Sequence, residues 1–123
     1  MTLQEAISRT DELKPNSYTE KEKILWLSKL DWMLVRNVIR THDGDQMDDF
    51  SGYNESTDLS TELIAPEPYD TMYIKWLEAQ IDLANAEYNR YNASISLFTA
   101  DYNAYGAFYT ASNMPKSHGP FVF

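Results

Sequence analysis

The densest set of side chains able to do chemistry is Asp43-Gly44-Asp45-Gln46-Met47-Asp48-Asp49, four carboxylates within seven residues. Acids at alternate positions can hold calcium. A calcium loop of the EF-hand type also needs an oxygen ligand at its fifth position, glycine at the sixth and a bidentate glutamate at the twelfth. Here Gly44 is second, Met47 is fifth and Asn54 is twelfth. The segment reads as a solvated acidic loop, with weak cation binding by clustered carboxylates as the alternative. Glu78 and Asp82 are one helical turn apart, and paired carboxylates do acid–base work only when their surroundings drive their pKa values apart. Lys75 stands three residues before Glu78 and Arg90 three after Glu87, so surface ion pairs account for these charges. His42 and His118 are far apart, and neither completes a Glu-x-x-His metal motif. Cysteine is absent, which removes thiolate sites and disulfides. Gly44, Gly52, Gly106 and Gly119 form no phosphate-binding loop, and no nucleophile elbow or His-Glu-x-x-His zinc motif occurs. The expectation is a protein that is not an enzyme, with no cofactor and no metal.

The elements that carry these residues are helical. Thr2 and Glu5 have capping-box spacing, which starts a first helix over about 2–14 with Leu3, Ala6, Ile7 and Leu13 on one face. Pro15 ends it by forcing Lys14 out of helical geometry. A second helix over about 19–41 begins at Thr19, with Glu22 completing a capping box, or at Ser17 with Glu20. Ile24, Leu27, Leu30, Leu34 and Val38 recur every three or four residues. Trp26, Trp32, Met33, Val35 and Ile39 widen the apolar arc, so this helix should meet more than one neighbour. Arg36 and Arg40 complement the dipole at its end. Residues 43–69 read as a long loop, with a short extended piece at Thr61–Ala65 as an option. A third helix over about 70–112, capped by Asp70, carries the stripe Tyr73, Leu77, Ile81, Ala84, Tyr88, Tyr91, Ile95, Phe98, Tyr102, Tyr105 and Tyr109. From Ile81 the spacing alternates three and four, as in a heptad seam. One unbroken helix of this length would span roughly 64 Å at 1.5 Å per residue. That is too long for the domain, so a protruding end or a break is expected, with Gly106 and Asn89–Asn92 as the weak points.

The fold class is therefore all-α: a small helical bundle over 1–113 with a long C-terminal helix, then an extended tail over 114–123. Of 123 residues, nine are Tyr, five Phe and three Trp, and tyrosine suits half-buried surfaces and interfaces. Tyrosines in a heptad seam imply a wide or wet seam, so Tyr88, Tyr91, Phe98, Tyr102, Tyr105 and Tyr109 are expected to pack in the core and against neighbouring subunits. The net charge is −9, and the segment 42–70 holds nine acids and no Lys or Arg, leaving ten acids and ten bases elsewhere. Such a surface repels nucleic acid rather than gripping it. No signal peptide and no membrane span are expected, since no apolar run approaches about 18 residues. Synthesis in a cytosol-like compartment follows.

Several phrases resemble a known family. They are Thr2-Leu-Gln-Glu-Ala-Ile7, Leu13-Lys-Pro-Asn16, Glu22-Lys-Ile-Leu-Trp-Leu-Ser-Lys-Leu-Asp31, Phe50-Ser-Gly-Tyr53, Glu62-Leu-Ile-Ala-Pro-Glu-Pro-Tyr-Asp-Thr-Met-Tyr73 and Trp76-Leu-Glu-Ala-Gln-Ile-Asp82. The chain is similar along nearly its whole length to small head–tail connector (adaptor, head-completion) proteins of tailed phages and prophages of Gram-positive bacteria. The resemblance implies a virion subunit, made in the host cytoplasm and assembled as a ring, commonly a dodecamer, beneath the portal protein. The ring extends the channel through which DNA passes without specific binding, and it receives the tail or a stopper protein. It further implies that the C-terminal segment reaches the portal, a role that Met114, Pro115, Phe121, Val122 and Phe123 suit. The acidic loop with Asp43, Asp45, Asp48, Asp49, Glu55 and Asp58 would then face the lumen or the tail. The alternative is an acidic regulatory protein that mimics DNA and occupies a DNA-binding partner.

Overall fold

A computed structural model describes residues 1–113 as four helices, with no strand among them. The all-α expectation is met. Helix α1 spans Leu3–Leu13, α2 Glu20–Asn37, α3 Thr71–Ala84 and α4 Tyr88–Ser112. The capping box at Thr2 forms in full: Glu5 N donates to Thr2 Oγ1 at 3.1 Å, and Thr2 N donates to Glu5 Oε1 at 2.9 Å. Of the two candidate starts for α2, Thr19 is used, with Glu22 N donating to its hydroxyl at 3.2 Å. The last turn of the expected 19–41 helix tightens into a 3-10 turn over Ile39–Thr41.

The expected third helix is two helices. The chain reverses at Asn85-Ala86-Glu87, not at Gly106 or Asn89–Asn92, both of which lie inside α4. Glu87 N donates to Asp82 O at 2.9 Å and Ala86 N to Leu83 O at 3.0 Å, while Ala86 adopts φ +58°. These are the bonds of a Schellman motif, with alanine where glycine is usual. The left-handed residue costs roughly 1–2 kcal/mol. Burial of the aromatic stripe offsets that cost, because the reversal lays α4 antiparallel on α3. Trp76 meets Phe98 with ring centroids 5.0 Å apart, Thr71 Oγ1 donates to Asp101 at 3.0 Å, and Tyr69 meets Tyr105 at 5.7 Å.

Helix α3 is the centre of the bundle and packs on α1, α2 and α4. Met72, Tyr73, Leu77 and Ile81 are wholly buried on it, and the first three join Leu3 and Ala6 of α1 and Leu27, Leu30 and Leu34 of α2 in one core cluster. Thr10 takes the inward place on α1 that Leu13 was expected to share, and Leu13 is exposed. Asp70 does not cap α3: its side chain makes no cap bond and instead lies 3.6 Å from the Met1 ammonium. The loop option of a short extended piece resolves into a single antiparallel bridge, Thr2 with Glu62. Around it Leu3 N donates to Thr61 O and Gln4 N to Leu59 O, so the loop satisfies backbone donors that the start of α1 leaves free.

Candidate interaction surfaces

The long loop is fastened to the bundle by one buried carboxylate. Asp31 lies on the core side of α2 and is fully buried. The Tyr53 hydroxyl donates to its Oδ2, the Tyr73 hydroxyl to its Oδ1 at 2.7 Å, and the Ile64 backbone N–H to Oδ2 at 3.2 Å. Tyr73 in turn accepts from Ala65 N at 2.7 Å, and Tyr53 N donates to Ser28 Oγ at 2.9 Å. No cation pairs with Asp31 among the described residues. Burial pushes its carboxyl up to about 6, against the opposing pull of the tyrosine hydroxyls. Burial and the neighbouring carboxylate raise both tyrosines. Gly52 lets the loop pass close to α2: its φ is +81°, and a Cβ there would lie 2.7 Å from both Ser28 Oγ and Trp32 Nε1.

The clasp leaves the acids of the loop pointing outward. Asp43, Asp45, Asp48, Asp49, Glu55 and Asp58 are all exposed. Glu55 reaches Lys21 at 3.9 Å, and Asp45 accepts from Met47 N at 2.9 Å. Among the described residues no group of three or more His, Asp or Glu could hold a metal ion. The other buried carboxylate, Asp82, binds Lys14 Nζ at 2.6 Å and the Ser94 hydroxyl at 2.9 Å, which ties the end of α1 to the α3–α4 hairpin. Glu78 pairs with Lys75 and Glu87 with Arg90, as the spacing suggested.

The aromatic stripe of α4 turns inward. Phe98 and Tyr105 are buried, Tyr91, Tyr102 and Tyr109 are half-buried, and Tyr88 at the outer end is exposed. Tyr102 places its hydroxyl in the seam with no hydrogen-bond partner among the described residues. Burial pushes Tyr105 up to about 12. Beyond α3 the stripe continues onto the end of α2: Tyr109 packs edge-on against His42 at 5.3 Å, and His42 Nε2 lies 3.0 Å from the Thr110 hydroxyl. His42 Nδ1 sits 2.6 Å from Val38 O. Only the nitrogen can donate there, so Nδ1 carries the proton. The stripe thus forms a seam within the chain along most of its length.

A surface that the sequence reading passed over lies on α2. Lys29, Trp32, Met33, Arg36 and Asn37 line a shallow groove of about 290 Å³. The Arg36 guanidinium lies 5.6 Å from the Trp32 ring centroid and that of Arg40 6.0 Å. By sequence, Arg36 and Arg40 only complement the helix dipole. Lys29, Trp32 or Met33, Arg36 and Arg40 follow one another at three- or four-residue steps, and that was the signal that they share a face.

The tail residues Met114, Pro115, Phe121, Val122 and Phe123 lie outside the described residues. The chain enters the tail at Asn113, beside the first turn of the acidic loop: a Cβ on Gly44 would be 3.0 Å from Asn113 Oδ1. Among the described residues no helix is long and apolar enough to cross a membrane. Comparison of the chain with protein-family models, curated proteins and solved structures finds no match.

Proposed function

We propose that the chain is a structural subunit of a tailed-phage head–tail connector. Identical copies form a ring beneath the portal protein, extend the DNA channel and receive the tail or a stopper. One observation carries this reading: the acidic loop is a fixed surface. A buried carboxylate and two tyrosines clasp it to α2 and α3 while its own acids stay exposed. A fixed anionic surface suits a wall past which phosphate must slide without being held. Entry into the tail beside that loop supports a common end of the molecule for both features.

The test is capture of the portal protein by the purified chain. The full chain is expected to retain the portal protein encoded with it, and a chain lacking 114–123 to lose it. Retention unchanged by the deletion would remove the tail from the proposal. A chain that stays monomeric, ignores the portal and inhibits a nuclease would support the DNA-mimic reading instead.

A further inference from the structure

The outward face of α2 lies opposite the side that packs on the core. It presents Leu25, Lys29, Trp32, Met33 and Arg36, with Arg40 at its end. Leu25, Lys29 and Arg36 are exposed, and Trp32 and Met33 are half-buried. In a chain of net charge −9 this is a local cationic surface, for among the described residues neither Lys29 nor Arg36 has an acidic partner. Its rings and aliphatic chains give the groove apolar walls, and the guanidiniums over Trp32 hold the cations at its edge. The partner this surface fits is an acidic segment with apolar or backbone parts, held rigidly enough to dock.

The chain itself carries such a segment. Asp43, Asp48 and Asp49 are exposed without a cationic partner among the described residues, on a loop held by the Asp31 clasp. Arg40 holds the same stretch in place within one copy by donating to Gln46 O and Met47 O, both at 3.2 Å. A ring of identical subunits needs two different patches that complement each other. We infer that the Lys29–Trp32–Met33–Arg36 groove of one copy receives the acidic 43–49 segment of a second copy. This rests on the self-association in the connector reading, whose portal contact it does not require.

Charge reversal tests it, with the full chain measured by analytical ultracentrifugation and folding checked by circular dichroism. Lys29→Glu/Arg36→Glu gives a chain negative on both patches, and Asp43→Lys/Asp48→Lys/Asp49→Lys gives one positive on both, with Asp45 left in place for its bond to Met47 N. Each alone is expected to need a concentration about tenfold or more above wild type to assemble, because juxtaposed like charges oppose docking. An equimolar mixture, in which every groove can meet a loop of opposite charge, is expected to restore assembly near the wild-type concentration. Wild-type assembly should also weaken between about 0.1 M and about 1 M salt as the Debye length shrinks. If wild type forms rings and both variants do so equally well, this interface is wrong while the ring reading stands. The same result with portal capture lost only in the groove variant would assign the groove to the portal instead. A wild-type chain that is monomeric at every concentration would overturn the ring reading and this interface together.

Discussion

At the scale of single residues, Asp31 decides most. It is a carboxylate at a core position of α2, and the Tyr53 hydroxyl and Ile64 amide of the loop and the Tyr73 hydroxyl of α3 all donate to it. Its folded pKa of about 6 lies above the ordinary 3.8. The folded state therefore binds this proton more tightly than the unfolded chain does. The contribution of the group is fully present below about pH 4 and is lost as pH rises to about 6, a change of order 2–3 kcal/mol. Urea unfolding of wild type and Asp31→Asn across pH 4–7 should show wild type losing stability relative to the variant over that window. Parallel curves would contradict the assignment. Asp31 was legible in part: it falls within the apolar repeat of α2, and a charge at a core position implies a buried partner. Which partners could not be read, because Tyr53 and Tyr73 lie 22 and 42 residues away and no local rule links them.

Among the elements, the reversal between α3 and α4 is the instructive case. Helix starts at Thr2 and Thr19 were legible, because capping bonds are local and the residue types that make them are few. The break was expected from length alone, but its position was hidden. Ile81, Ala84 and Tyr88 keep the three-and-four spacing straight through the turn, so the stripe looks continuous across it. No glycine or proline marks the site. Ala86 accepts left-handed geometry because the motif around it supplies two backbone bonds and the hairpin buries Phe98 and Tyr105. Ala86→Gly should thus stabilise the protein by about 1 kcal/mol in thermal or urea unfolding, the reverse of the usual loss for this substitution in a helix. A loss of stability would mean that Ala86 does not sit in the left-handed region.

For the whole molecule, the charge map and the burial map divide the surface by role. Ion pairs between elements (Lys14–Asp82, Lys23–Asp11) and at the start of α4 (Arg90–Glu87) neutralise charges of the bundle, while the loop keeps its acids exposed. The aromatic seam, which sequence alone left shared between core and neighbour, is largely occupied within the chain by α3 and His42. That leaves the α2 groove, the acidic loop and the tail as the surfaces proposed for assembly. The overall class and the placement of the loop were legible because periodicity and charge runs are linear features. The groove was legible only in part: spacing puts Lys29, Trp32, Met33 and Arg36 on one face of α2, but that this face stays uncovered is settled by how the other helices pack. The most direct test of the central claim is electron microscopy of the chain bound to the portal protein encoded with it. The account predicts a closed ring of this chain seated beneath the portal, with the acidic loop towards the channel or the tail side. Portal particles bare of this chain, with the chain recovered as a monomer, would contradict it.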